Sequence, residues 1–443
     1  MQIPQPLLQS LAHLSGFNEQ AFIQAHETGN KITSLRLNPF KPAQLDFELN
    51  DAVTWNEHGF YLDERPSFTL DPLFQAGCYY VQEAGSMFIE FALKHTLDLS
   101  KQLKVLDLCG APGGKSTLIN SLLSEESLLV ANEFVKSRAG ILVQNLSKWG
   151  TSNTVVTNND PQRFSVLNAF FDAVVVDAPC SGSGLFRKQP EAIDEWSEDS
   201  VNACAVRQQK ILADVMPAIK EGGILIYSTC SYSEKENEDV VGWLITQGFE
   251  YVQLPVNNSW NIVETRAGYR FYPHLTKSEG FFCAVLRKTK AEQAPFMPKK
   301  RTSLDAAKTE LSALAPFLEL SDNYIIKKND QFHLLNKAAC DFLIAFEKQF
   351  YFKKAGTVIG EIKGSDVVPN QELAWSLYVN KAVNTLDLDR DNALKFLRKE
   401  NFGVPAGNKG LVLVTYKNQG LGWAKILQNR INNYLPNELR ILK

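Results

Sequence analysis

The chain has little cysteine for its length, seven in 443 residues, at positions 78, 109, 180, 204, 230, 283 and 340, and no two stand in a Cys-x-x-Cys spacing. An odd number without close pairs excludes a zinc cluster and a disulfide framework. Reduced thiols and no metal are expected, most of the cysteines packing as small apolar side chains. No apolar run reaches the roughly 18 residues that a membrane helix needs. The first residues, Met1-Gln-Ile-Pro-Gln-Pro-Leu7, lack the basic start and the apolar stretch of a signal peptide, so the protein is expected in the cytoplasm, away from membranes. Aromatic residues at 11% and charged residues at 21% exclude the disordered and collagenous classes. What remains is globular material long enough for two or three domains.

The net charge of −3 hides an asymmetry. Lys and Arg number 24 against 33 Asp and Glu in residues 1–290, and 22 against 16 afterwards. From Asn401 onward six basic residues (Lys409, Lys417, Lys425, Arg430, Arg440, Lys443) stand against one acid, Glu438. A solvated face explains such a tail. A nucleic-acid surface explains it equally, because Tyr416, Trp423 and Tyr434 are interleaved with the cations, and bases stack on rings while cations meet phosphates.

Residues 1–95 read as a mixed α/β extension ending in an apolar helical stretch at 84–94. From Leu103 apolar strands at 105–108, 128–132, 154–157, 173–176 and 224–228 alternate with helical segments at 115–123, 137–149, 201–219 and 234–245. This alternation predicts βαβ units and a doubly wound, mostly parallel sheet over residues 96–290, with the run 280–286 closing an edge. The polar, proline-bearing segment 291–303 reads as a linker, and residues 304–443 as a separate compact module containing a strand at Gly410–Tyr416.

Two of the cysteines end neighbouring strand-like runs, Ala173–Cys180 and Gly222–Cys230. If one crossover joins the runs, both sulfurs reach the carboxyl-end crevice of a parallel sheet, where ligands bind in open α/β folds. A single cysteine after a buried strand is packing by default. Two at neighbouring sheet ends, one after Asp177-Ala-Pro and one before Ser231, make a candidate catalytic pair.

The first strand runs into a loop of Cys109, Gly110, Ala111, Pro112, Gly113, Gly114 and Lys115. Its glycines let backbone approach a ligand, and the helix start offers amide groups to a polar partner. Two nucleotide chemistries compete for it. Gly114-Lys115-Ser116 fits the end of a phosphate-binding loop, and Ala173–Asp177 imitates a Walker B strand, but Cys109 stands where that loop requires its first glycine. The alternative is the adenosine end of S-adenosylmethionine. Glu133, about 20 residues past the glycines, is placed to hold ribose hydroxyls, and Asp160 to accept from the adenine amino group. With Asp107 they put carboxylates at three successive strand ends, which suits a sulfonium cation and a ribose better than a triphosphate. A non-enzymatic RNA-binding protein, resting on the basic tail, is a third reading.

The segments Asp107–Lys115, Asp177-Ala-Pro-Cys180-Ser-Gly-Ser-Gly184 and Ser228-Thr-Cys230-Ser231 resemble the cofactor loop and the two cysteine motifs of the Sun-type (NOL/NOP/Sun) RNA cytosine-5 methyltransferases. Arg270-Phe-Tyr-Pro-His274 and Glu279-Gly-Phe-Phe282 are similar to that family's closing segment, Gln82-Glu-Ala84 to its pre-core segment, and Arg36 and Asn38 to an N-terminal motif. The likeness spans about residues 30–290. Leu421-Gly-Trp-Ala-Lys425 with the run Arg430–Arg440 looks like the PUA-like C-terminal region of bacterial members that act on small-subunit ribosomal RNA.

The resemblance implies an α/β fold: a Rossmann-like methyltransferase core between an N-terminal α/β extension and a C-terminal PUA-like α+β module. It implies S-adenosylmethionine as methyl donor, held by residues 109–115, Glu133, Arg138, Asp160 and Asp177, and 16S ribosomal RNA, free or in the 30S subunit, as partner. Transfer RNA and large-subunit RNA are the alternative substrates. It assigns Cys230 as nucleophile, Cys180 as the residue assisting elimination and release, and Asp177 as the acid contacting both cytosine and the donor's amino-acid end. Chemistry separately calls for two thiols: carbon 5 of cytosine is a poor nucleophile until a thiolate adds at carbon 6, and the carbon-5 proton and the enzyme thiol must then leave. The target base must be unpaired or flipped out. Arg187, Lys188, Arg207 and Gln208 lie between the two cysteine motifs and are expected to line its approach; His274 is either a structural histidine or a substrate contact.

Overall fold

The computed structural model describes residues 2–28, 31–290, 306–319, 323–364, 366–403, 409–428 and 430–442; the expected linker 291–303 and Lys443 lie outside the described residues. A ten-stranded sheet carries the centre of the chain. Its order is Val263–Glu264, Tyr269–Phe271, Phe281–Lys288, Ile219–Thr229, Phe171–Asp177, Lys104–Asp107, Leu128–Asn132, Thr154–Thr157 and Phe352–Ala355, with Phe249–Tyr251 also paired to Phe281–Lys288. The five strands from Ile219–Thr229 to Thr154–Thr157 are mutually parallel, and their neighbours on either side are antiparallel.

The chain starts at Lys104–Asp107, steps outward through the next two parallel strands, then returns to Phe171–Asp177 on the other side. That reversal is the switch point at which an open α/β sheet presents a ligand crevice. Alternation along the strands serves two covered faces. Val105, Val175 and Ile226 pack toward the helices Phe88–Thr96, Gly114–Leu122 and Lys136–Trp149, while Leu106, Val174 and Leu225 pack toward Glu198–Val215 and Glu238–Thr246.

The edges differ from the sequence expectation. Phe281–Lys288 is not an edge strand, because Tyr269–Phe271 pairs outside it and buries both rings against Phe88. At the far edge, Phe352–Ala355 comes from beyond the linker and pairs with Thr154–Thr157. The helix Lys337–Phe346 lays Phe342 and Phe346 against Phe170, and Asn336, which caps it, also donates to the carbonyls of Glu125 and Ser127 at 2.8 and 2.7 Å. Residues 337–355 thus continue the core physically, since the aromatic face of that helix packs on the sheet as well as on Phe350 and Phe352.

The N-terminal part consists of helices Gln5–Leu11 and Glu19–Glu27 and an antiparallel sheet of Thr33–Leu37, Gly59–Leu62 and Tyr79–Val81. Arg36 and Asn38 are buried joints here. Arg36 donates to Gln82 and to Thr117 Oγ1 at 3.0 and 2.7 Å and stacks on Trp149 at 4.6 Å; Asn38 donates to the carbonyls of Gly77 and Trp149 at 2.9 and 3.2 Å. They fasten the extension to the core.

The last sheet, Thr385–Asp387, Gly410–Tyr416, Gln419–Ile426 and Ile431–Asn433, shares a core with the N-terminal part through Val412, Val414, Leu35 and Tyr79. Two of the three rings expected on a stacking surface are structural. Trp423 is buried and donates to the Asn370 carbonyl at 2.9 Å; Tyr416 is buried and donates to Asp46 at 2.8 Å, with Lys417 paired to the same carboxylate. Tyr434 is exposed. No helix among the described residues is long and apolar enough to cross a membrane.

Candidate active site

The loop after Lys104–Asp107 is closed by backbone. Gly110 donates its N–H to the Asn132 carbonyl at 2.7 Å, and a Cβ at Gly110 would lie 2.8 Å from Ser116 Oγ, so glycine is required there. Arg138 donates to the Ala111 carbonyl and Asn145 to that of Pro112, both at 2.8 Å. Gly113, at φ +119°, precedes the helix Gly114–Leu122. Beneath the loop Asp107 is fully buried. One oxygen accepts from Ser116 at 2.6 Å, while Oδ1 has no hydrogen-bond partner among the described residues, and burial pushes the carboxyl up to about 7.

Beside the loop opens a cavity of about 600 Å³, lined among others by Cys109, Glu133, Arg138, Asp160, Asp177 and Cys180. Glu133 accepts from the Val135 N–H at 2.7 Å with Arg138 at 3.7 Å, and Asp160 accepts from the Gln162 N–H at 2.9 Å. Burial, with Asp107 and Asp177 adding to it, pushes the Cys109 thiol far up, which disfavours its thiolate. Two carboxylates along the strand ends, Glu133 and Asp160, with Asp177 beside them and a glycine-bearing loop, fit the hydroxyl and amino groups of S-adenosylmethionine. They do not fit a triphosphate, because Lys115 is already paired with Asp177 at 2.9 Å.

The parallel strands Phe171–Asp177 and Ile219–Thr229 put Asp177 opposite Ser228, which donates to it at 2.8 Å, and the two following loops leave side by side. The sulfurs of Cys180 and Cys230 are free thiols 2.9 Å apart. Cys230 lines both the larger cavity and a second one of about 300 Å³, walled by Tyr80, Glu83, Lys115, Glu279 and Phe281. Cys109, Ala111, Arg138, Asp177 and Leu185 border both cavities. Burial opposes the charge on Lys115, but Asp177 more than offsets it and holds the ammonium above its ordinary value. Contact with the Cys230 sulfur, then burial, then the charge of Glu236 hold the Cys180 thiol well up.

The structure brings Cys109 to Lys115, Asp177, Cys180 and Cys230 to one place, with Glu133, Arg138 and Asp160 around the larger cavity. It does not bring all the expected approach residues there. Lys188 and Arg207 line the cavities, whereas Gln208 is fully buried, donating to the Pro179 carbonyl at 3.1 Å and accepting from Tyr227 at 3.0 Å. Arg187 is buried 3.6 Å from Glu279. His274 bonds to the Gly16 carbonyl at 3.0 Å and burial lowers its pKa, which makes it a neutral structural histidine.

Two supports were not singled out from the sequence. Glu83 accepts from the N–H groups of Gly85, Ser86 and Glu279 at 2.8, 2.8 and 2.9 Å, tying the pre-core segment to the closing segment. Glu236 accepts from both cysteine loops. The one available signal for Glu236 was an acid in the polar run just past the second cysteine. Gly184 sits where the loops cross; its N–H donates to the Cys230 carbonyl at 2.8 Å, and a Cβ there would lie 2.5 Å from the Gly280 carbonyl oxygen.

Comparison with known proteins gives the family. The family model for 16S rRNA methyltransferase RsmB/F matches residues 94–287, the N-terminal domain of 16S rRNA methyltransferase RsmF matches 3–84, and the methyltransferase RsmF PUA domain matches 383–441. A ribosomal RNA small subunit methyltransferase F of Shigella sonnei is 31% identical over 437 residues, covering 92% of this chain and 90% of its own. One of Vibrio cholerae is 30% identical over 469 residues, covering 99% and 98%. Among solved structures, a methyltransferase homolog protein from Pyrococcus horikoshii is 27% identical with a TM-score of 0.52, covering 65% of this chain and 100% of that one. NSun6 from Pyrococcus horikoshii, solved with SFG, shares the fold at 19% identity and a TM-score of 0.55, covering 65% and 98%. With a catalytic core and both flanking domains matched, the chain belongs to the 16S rRNA methyltransferase RsmB/F family of S-adenosylmethionine-dependent RNA methyltransferases.

Proposed function

We propose that this protein methylates carbon 5 of a cytosine in 16S ribosomal RNA through a covalent bond between Cys230 and the base. The observation that carries the reading is the meeting of two free thiols, 2.9 Å apart, where a cavity of about 600 Å³ adjoins one of about 300 Å³. When bound, S-adenosylmethionine supplies an electrophilic methyl group on a sulfonium. Glu133, Arg138, Asp160 and Asp177 would hold it in the larger cavity, with the loop of residues 109–115 alongside and Cys109 and Ala111 bordering both cavities, and the smaller one would receive the flipped base.

The Cys230 thiolate adds to carbon 6, which makes the ring enamine-like and lets carbon 5 take the methyl group. The carbon-5 proton passes to solvent water, and the electron pair it leaves forms the 5,6 double bond and expels Cys230 as thiolate, which restores the aromatic ring. Cys180, touching Cys230, assists that release. The Lys115–Asp177 pair lies in the wall between the cavities and contacts the polar edge of the cytosine. The small-subunit RNA substrate is supported by the relatives' names and by the RsmF-type flanking domains, of which the C-terminal one binds RNA; the cytoplasm follows as the place of action.

The test is direct. Cys230→Ala should abolish methyl transfer to 16S RNA, and Cys180→Ala should accumulate a protein–RNA adduct that runs as a slow band on a denaturing gel. Full turnover by the Cys230→Ala protein would remove the proposed nucleophile. Bisulfite sequencing of 16S RNA from cells with and without the protein identifies the modified position.

A further inference from the structure

The cysteine loops share an anchor that the methyl-transfer chemistry above does not use. Glu236 is completely buried. Its Oε1 accepts from the Ser181 N–H at 2.8 Å and from Gln208 Nε2 at 3.2 Å; its Oε2 accepts from Ser181 Oγ and from Ser231 Oγ, each at 2.5 Å. Ser181 follows Cys180, and Ser231 follows Cys230. One carboxylate therefore holds the residue after each thiol. All four of these donors are neutral, and together they offset the cost of burying this group.

The surroundings stiffen the anchor. Tyr227 donates to the Glu236 carbonyl at 2.5 Å and to Gln208 Oε1 at 3.0 Å. Asn237 donates to the Ser231 carbonyl at 2.8 Å and accepts from Thr229 Oγ1 at 2.6 Å. Glu238 forms a buried bidentate pair with Arg270, which also donates to the Tyr232 carbonyl at 2.7 Å. Glu236 and Asn237 thus bind the Cys230 loop directly, and Glu238 reaches it through Arg270. Packing alone would be served by an apolar side chain at 236; an acceptor with four lone-pair directions is what two converging loops of donors need.

We propose that Glu236 is a positioning residue for the methyl-transfer reaction, locking the Cys180 and Cys230 loops at one spacing so that both sulfurs address the same base. The proposal rests on the cysteine-based reading of the site. Its negative charge is also among the causes that keep the Cys180 thiol protonated, after the contact with Cys230 and burial, and this matches a thiol that must not compete with Cys230 as nucleophile.

The experiment uses the full-length protein with Glu236→Ala, Glu236→Gln and Glu236→Asp. Thiol spacing is read without activity, by capture of phenylarsine oxide, a trivalent arsenical that binds tightly only where two thiols stand side by side; Cys180→Ala is the control that abolishes capture. Methyl transfer is read as kcat and KM separately. Glu236→Ala should lower kcat by about 100-fold, the scale of a misplacement of roughly 1 Å, with KM for S-adenosylmethionine within about twofold and arsenical affinity down by about tenfold. Glu236→Asp should recover part of both. If the alanine protein does not fold, Glu236→Gln decides, because it keeps the volume but turns one acceptor toward Ser181 and Ser231 into a donor. Wild-type kcat and wild-type arsenical capture in the glutamine variant overturn the proposal. Capture that falls in the Glu236 variants while Cys230→Ala still turns over supports the spacing role and overturns the cysteine chemistry instead.

Discussion

Asp107→Asn should make the protein more stable above neutral pH and leave it unchanged in acid. Asp107 is fully buried, its Oδ1 is without a partner among the described residues, and burial carries its carboxyl from 3.8 up to about 7 against the opposing bond from Ser116. At about 1.4 kcal/mol per tenfold change in proton affinity, that displacement is worth roughly 4 kcal/mol. The sign follows from which state holds the proton. Below pH 3.8 both folded and unfolded chains are protonated at this position and the carboxyl contributes no penalty. Between 3.8 and about 7 the unfolded chain ionises first, so stability falls as pH rises, and above about 7 the full penalty stands. Asparagine keeps an acceptor for Ser116 and carries no charge. Urea unfolding of both proteins at pH 4, 6 and 8 should therefore show a gap that opens from near zero to a few kcal/mol in favour of the variant. A variant less stable than wild type at pH 8, or a gap independent of pH, would show that the buried carboxylate is compensated and would refute the reasoning.

Two further substitutions test other parts of the construction of the site. Gly110→Ala puts a Cβ 2.8 Å from Ser116 Oγ and 3.3 Å from Asp107 Oδ2; the loop must shift, and calorimetric affinity for S-adenosylmethionine should fall by at least about tenfold while circular dichroism stays that of the wild type. Arg270→Met leaves Glu238 buried without its bidentate partner, which should cost about 3–5 kcal/mol in denaturant unfolding; replacing Glu238 by Met as well should restore most of that, and a single variant within about 1 kcal/mol of wild type would count against the pair.

The centre of the fold was legible because its signals are local. Apolar strands ending in Asp107, Glu133, Asp160, Asp177 and Cys230 alternate with helices, and two covered faces make the centre of each parallel strand apolar on both sides. The approach residues were less legible, since a helix turns its side chains by about 100° per residue and spacing between motifs does not say which way they face. On Glu198–Val215, Arg207 borders the cavity while its neighbour Gln208 is sealed under Tyr227. The tail misled for a related reason. In a strand successive side chains take opposite sides, so alternating rings and cations describe a half-buried strand as well as a stacking surface. In Gln419–Ile426 both sides are covered: Trp423 is buried on one, Ala424 and Ile426 on the other, and Lys425, on the same side as Trp423, is half-buried.

What no local pattern could reveal is how the chain beyond the linker meets the strand end beside the larger cavity. Tyr351 accepts from the Asn158 N–H at 2.9 Å and donates its own N–H to the Asn159 side chain at 3.0 Å. The Asn159 N–H donates to Asn132 Oδ1 at 3.0 Å, and Asn132 donates onward to the Leu108 carbonyl at 3.1 Å. A continuous set of hydrogen bonds therefore runs from residue 351 to the residue before Cys109, passing the strand end that carries Asp160. Strand Phe352–Ala355 pairs with Thr154–Thr157 directly behind it. Removing residues 304–443 would expose that edge, unpin Asp160 and strip Phe342 and Phe346 from Phe170. The C-terminal third is accordingly packed on the core sheet, and loss of activity on truncation reports lost core contacts as well as any lost RNA contact.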